Sequence, residues 1–196
     1  MGERHREVAA AAIGEHREVI SQLERILVPA AVDLAARLDA ALREGGKVLV
    51  FGNGGSAADA QHFAAELTGR YARERGPLAA VALTTDTSAL TAIGNDYGFE
   101  EIFARQVRAL AGPSDVALGL STSGNSANVL RALDAARELR ALTVGLTGTP
   151  QGRMSEHCDL LLAVPSSKTA RIQEAHILLL HVVCEILDAA RADDPR

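Results

Sequence analysis

Residues 3–42 carry apolar positions at helical spacing: Val8, Ala12, Val19, Leu23, Ile26 and Leu27, then Val32, Leu34, Leu38 and Leu42 beyond Pro29. Proline lacks an amide donor and clashes with the preceding turn, so the stretch predicts two helices that meet at Pro29. The first is polar and early in the chain, and its apolar stripe needs a surface supplied by the domain or by another subunit.

From Lys47 the pattern changes. Gly45-Gly46 closes the helical arm, and continuously apolar runs then alternate with helical patterns, as repeated βα units do. Five runs read as strands: Lys47–Phe51, Leu78–Leu83, Asp115–Leu120, Leu142–Thr147 and Asp159–Val164. Helices are expected at Ala57–Leu67, at Ser88–Ile93 with Glu100–Leu110, at Ser126–Arg140, and as a short piece near Met154–His157. Runs without polar alternation suit parallel strands covered on both faces. The predicted fold is α/β, a three-layer αβα sandwich on a five-stranded parallel sheet of flavodoxin-like order, with ligands outside the carboxyl ends of the strands. An N-terminal helical arm over 1–44 precedes the domain over 45–190.

The last predicted helix, Thr169 to Ala190, is apolar on almost every side from Ile177 to Leu187. A helix of that kind is buried all round. One domain face of a 196-residue chain does not cover it fully, which predicts a helix-bundle interface between subunits; cover by the chain's own N-terminal helices is the alternative.

Composition narrows the partners. Hydrophobic residues at 47% and charged residues at 23% describe an ordinary globular protein, while 3% aromatics without Trp disfavour binding single-stranded nucleic acid by stacking. A net charge of −5 gives no global attraction to nucleic acid or an anionic membrane, so an anion site must be local. Cys158 and Cys184 lack CxxC spacing and read as reduced, buried thiols. Charges run from Glu3 to Glu7 and no apolar run reaches the ~18 residues of a membrane span, so a cytoplasmic protein without a membrane partner is expected.

Candidate chemistry sits at strand ends. Val48-Leu49-Val50-Phe51 stops at Gly52-Asn53-Gly54-Gly55-Ser56-Ala57, which reads as strand, tight turn and helix start, a place where backbone amides and the helix dipole meet an anion. The pattern also matches a dinucleotide fingerprint, for which Asp86 would be the ribose acid. Its spacing from the glycines is too long for that role. A second loop, Ser121-Thr122-Ser123-Gly124-Asn125-Ser126, packs hydroxyls into a helix start; Ser126 serves as N-cap in the plainest reading, which leaves the other hydroxyls unexplained. Together they suit a phosphate monoester, with phosphate at Ser121–Ser126 and the uncharged body toward Asn53–Gly55. His62 and Glu66 stand one turn apart just beyond the first loop, and Gln173 and His181 are polar among apolar neighbours. These four types suit a divalent ion such as zinc. Gln173 and His181 lie about 12 Å apart along a helix, which suggests a site at a subunit interface with some groups from a neighbouring chain.

The run from Gly52 through His62 and Glu66 to Arg70, with Gly94-Asn95-Asp96-Tyr97-Gly98-Phe99, Ser121–Ser126 and Arg171-Ile172-Gln173-Glu174, resembles the phosphoheptose isomerases (sedoheptulose 7-phosphate isomerases), a sugar-isomerase (SIS) domain family. The resemblance spans about Gly45 to Leu187. It implies a homotetramer with sites between subunits and one zinc per subunit at His62, Glu66, Gln173 and His181. It implies substrate contacts at Asn53, Gly54, Gly55, Glu66, Asn95, Asp96, Ser121, Thr122, Ser123, Ser126 and Gln173. The implied reaction passes through an enediol, with Glu66 as base and His181 as proton donor or partner base. Some members carry Asp before the Arg-Ile-Gln-Glu motif, where this chain has Ala170, which puts that Asp's part in doubt here. The alternative is a non-catalytic SIS-domain phosphosugar-binding protein or the replication-initiator-associating protein, which is similar at Thr91-Ala92-Ile93 and Arg105–Leu110. That protein lacks the helix carboxylate and the terminal histidine, and retention of Glu66 and His181 favours an enzyme.

Overall fold

The computed structural model describes residues 2–192; Met1, counted in the helical arm, lies outside them, as do 193–196. The chain runs α1 (Glu3–Arg43), β1 (Val48–Gly52), α2 (Gly55–Thr68), β2 (Ala80–Ala82), α3 (Thr87–Tyr97), α4 (Ala104–Leu110), β3 (Val116–Leu120), α5 (Ala127–Glu138), β4 (Leu142–Thr147), β5 (Leu160–Ala163) and α6 (Thr169–Ala190). Short 3-10 turns at Phe99–Glu101 and Met154–Glu156 complete it.

The break expected at Pro29 does not occur, and α1 is one helix of 41 residues. Val19, Leu23, Leu27, Ala31, Leu34, Ala35 and Leu38 form a buried stripe that passes Pro29 without interruption and packs with α6. Pro29 and Arg25 lie on the exposed side, so the carbonyl that loses its amide partner is open to solvent and not stranded in the core. A proline inside a helix costs roughly 3 kcal/mol, and each fully buried leucine returns about 1.5–3 kcal/mol, so continuous packing wins.

All five strands pair in parallel in the order β2-β1-β3-β4-β5, the flavodoxin-like order. Successive β1 side chains enter opposite layers: Val48 and Val50 join α1, α2 and α6, while Leu49 and Phe51 join α4 and α5. Every residue of β1 and β3 is buried, as two covered faces require. β2 is shorter than expected because it is an edge strand with a partner on one side only. Gly52 stands opposite Leu120, and Leu120 opposite Leu146, so the loops leaving β1, β3 and β4 begin at one level.

α6 buries Ile172, Ala175, Leu179, Leu180, Val183 and Leu187, but Ile177, Leu178, Val182 and Ile186 stay half-buried, so the chain's own helices cover only part of its apolar surface. Both cysteines are free, and burial pushes each thiol up to about 12, far from a nucleophile's range. Among the described residues no helix is long and apolar enough to cross a membrane.

Candidate active site

At Gly52 an added Cβ would stand 2.9 Å from the Leu120 carbonyl oxygen, so glycine lets the ends of β1 and β3 come close. Gly54 adopts φ +58°, in the left-handed region, and α2 begins there without a side-chain cap. The helix therefore opens on bare backbone amides, the arrangement that receives an anion or a sugar oxygen. Gly55 is small for a different reason: a Cβ there would lie 2.5 Å from Gln173 Nε2, so the carboxamide from α6 lies against the loop.

The serine loop is built to the same plan. Gly124 has φ +65°, and a Cβ on it would meet the Gln151 carbonyl oxygen at 1.9 Å. The turn folds Ser121 Oγ to 2.9 Å from Ser126 Oγ and 3.5 Å from Ser123 Oγ. Ser126 occupies the N-cap position of α5 but makes no side-chain cap bond. Its hydroxyl turns inward to Ser121 instead, which leaves the first amides of α5 for a ligand. Thr122 holds the adjacent β4 loop through its carbonyl, which accepts from Gly148 N at 3.3 Å.

One level along, α2 presents His62 and Glu66, and α6 brings His181 to them. His62 Nε2 is 3.1 Å from Glu66 Oε1 and 3.1 Å from His181 Nε2, and the potential ligand atoms of all three lie within 4.8 Å of one another. The His181 ring is set between His62, at 5.0 Å between centroids, and Tyr71, at 5.4 Å. Tyr71 in turn donates to Glu185 Oε1 at 3.4 Å. Two imidazole nitrogens and a carboxylate oxygen turned to one point repel unless a proton or cation sits among them, and this nitrogen and oxygen set fits zinc. All three groups come from one chain, so this trio needs no neighbour. Gln173 lies apart from His62, two turns back along α2 at Gly55.

Behind this surface stands a network that sequence patterning does not reveal. Arg75 and Asp188 form a 2.7 Å ion pair with side chains 0% and 2% exposed. Arg75 also donates to the carbonyls of Glu66, Leu67 and Gly76, and Asp188 accepts from Ala72 N and Arg73 N. Burial opposes the Asp188 charge, but these donors outweigh it and hold the carboxyl below its usual range. The polar run from Arg70 to Arg75 reads as a surface loop, and nothing in its periodicity marks the one arginine that turns inward.

Asn95 and Asp96 lie on the last turn of α3, exposed and bonded to each other at 2.8 Å, and they do not join either loop. Asp86, weighed as a ribose acid, caps α3 by accepting from Ala89 N at 2.9 Å. Ala170 sits exposed on the first turn of α6.

Residues 12–148 match the SIS domain family, a match that ends before Gln173 and His181. Phosphoheptose isomerase 1 of Campylobacter jejuni is 57% identical over 174 residues, covering 89% of this chain and 93% of that protein. The phosphoheptose isomerase of Aliarcobacter butzleri is 54% identical over 94% of this chain and 92% of its own length. The solved phosphoheptose isomerase of Neisseria gonorrhoeae superposes with a TM-score of 0.89 at 52% identity, over 94% of this chain and 98% of that one. With this sheet order and loop pair, and with this degree of identity along nearly the whole length, the chain belongs to the phosphoheptose isomerase family of SIS-domain proteins.

Proposed function

We propose that this chain is a phosphoheptose isomerase that interconverts D-sedoheptulose 7-phosphate and D-glycero-D-manno-heptose 7-phosphate in heptose biosynthesis. The observation that carries this reading is the meeting of His181 with His62 and Glu66 on the helix that leaves the glycine loop, with a serine loop that starts at the same level of the sheet. The serine loop takes the phosphate on the hydroxyls of Ser121, Thr122, Ser123 and Ser126 and on the amides of α5. Asn53, Gly54, Gly55 and Gln173 meet the sugar, with Asn95 and Asp96 as the further contacts the family resemblance implies.

Glu66 removes a proton from C1 of the ketose, the enediol forms, and a proton returns at C2. His181 moves the proton between the two oxygens. With Ala at 170, no carboxylate on the first turn of α6 competes with Glu66 for the role of base. His62, Glu66 and His181 would hold a zinc ion, while Gln173, the fourth donor implied by the family, lies against Gly55 at the sugar-facing loop instead. Held there, the ion would supply Lewis-acid polarisation of the substrate carbonyl.

The reading includes a cytoplasmic homotetramer with sites between subunits. Val8, Ile13, Ile26, Val28 and Val32 on α1, with Tyr97 and Phe99, are exposed, and α3 buries none of its residues; both observations support association.

Incubation of the purified protein with sedoheptulose 7-phosphate, followed by NMR, should show the aldoheptose phosphate appear. Absence of product with the zinc-loaded protein sinks the proposal. Chelation should also lower the melting temperature, and zinc should restore it; a melt indifferent to both removes the metal from the reading.

A further inference from the structure

Asn128 belongs to none of the motifs above, yet it is 3% exposed and sits on the first turn of α5, two residues past Ser126. Its carboxamide lies side by side with that of Asn53. Asn53 Nδ2 donates to Asn128 Oδ1 at 2.9 Å, and Asn128 Nδ2 donates to Asn53 Oδ1 at 2.8 Å. The two residues are 75 positions apart in sequence. Among the described residues this pair is the side-chain bridge between the glycine loop and the serine loop with its helix.

The chemistry of the pair explains why it matters. A carboxamide has two N–H donors and an oxygen with two lone pairs, and a reciprocal pair uses one of each. On Asn53 one N–H and one lone pair remain, held in the plane that Asn128 imposes and available to a sugar hydroxyl. Without the partner, Asn53 turns freely about its side-chain torsions, and binding must then order it. The strands already hold Gly52 against Leu120, and the amide pair extends that link beyond the sheet into the loops.

We propose that Asn128 is a positioning residue: it orients the Asn53 carboxamide toward the sugar and ties the sugar-facing loop to the phosphate-facing loop. Because a phosphosugar is gripped at both ends, the tie also helps select the number of carbons between phosphate and carbonyl. This proposal rests on the assignment of the two loops as one phosphosugar site.

A double-mutant cycle tests it. Asn53→Ala, Asn128→Ala and the double variant are each measured for sedoheptulose 7-phosphate affinity by calorimetry, for kcat and KM, and for thermal melting. Asn128→Leu, close in shape but without hydrogen bonds, serves where the alanine variant folds poorly. Removal of Asn128 from the wild-type background should weaken affinity and kcat/KM by on the order of 10- to 100-fold, the range for leaving the half-buried Asn53 carboxamide without its partner. In the Asn53→Ala background the same removal should cost less than about twofold, because Asn128 acts through Asn53. The preference for the seven-carbon ketose phosphate over fructose 6-phosphate should narrow in Asn128→Ala. Equal losses in both backgrounds overturn the proposal, since a residue that only supports the fold does not depend on Asn53. A non-additive cycle in affinity with no turnover by the wild type overturns the isomerase reading and keeps the role of Asn128. Failure of the wild type to bind the sugar phosphate overturns both.

Discussion

Arg75 and Asp188 join the end of α2 to α6 in the interior, and His62, Glu66 and His181 join the same two helices nearer the surface. The interior set closes on itself: Arg75 gives four of its five N–H donors to Asp188 and to three backbone carbonyls, and Asp188 accepts from two amides besides. In the outer set, two imidazole nitrogens and a carboxylate oxygen face one another at the surface. A closed polar network holds two elements together and has nothing left to offer a ligand. An open one keeps donors and acceptors turned to a point that a ligand can take. The difference also links them, since Arg75 donates to the Glu66 carbonyl and so anchors the turn that carries the outer carboxylate.

The contrast predicts opposite signatures on mutation. Glu66→Gln keeps the shape and loses the base, and should lower kcat roughly 10³-fold while the melting temperature of the zinc-free protein stays nearly constant. Unchanged turnover would break the comparison on its outer side. Asp188→Ala should do the reverse first, stranding Arg75 at full burial and costing about 3–5 kcal/mol in chemical denaturation. A loss under about 1 kcal/mol would show that the interior pair does not hold the helices.

The histidines extend the contrast to pH. His176 is buried on α6; its Nε2 donates to the Thr147 carbonyl at 3.2 Å and its Nδ1 has no partner. Burial holds its pKa down to about 4 from the usual 6.5. The unfolded chain therefore binds this proton more readily than the folded one. The neutral ring's contribution is fully present above pH 6.5 and is lost as pH falls toward 4, a total of roughly 3 kcal/mol. Denaturation curves across that window should steepen this loss in the wild type and flatten it in His176→Gln. Equal slopes would mean that other groups govern the acid limb.

Much of this was legible in order along the chain. Continuous apolar runs announced parallel strands, and glycines and serines at their ends announced a two-loop site, because those signals depend on neighbours in sequence. Pro29 misled for the same reason: a local rule predicts a break, and only the stripe from Val19 to Leu38 packed on α6 overrides it. His62 and Glu66 were readable as a pair at one-turn spacing, but the placement of His181 beside them and of Gln173 against Gly55 depends on how α6 crosses α2.

The sequence by itself determined the layers, the strand ends that carry chemistry and the residue types available there. The tertiary structure alone decided that Ser126 turns from capping to Ser121, that Arg75 goes inward while its neighbours do not, and that Asn53 finds Asn128 across 75 residues. The physical reason is that periodicity reports which face of an element is buried, whereas hydrogen-bond partners are chosen by the meeting of elements distant in the chain.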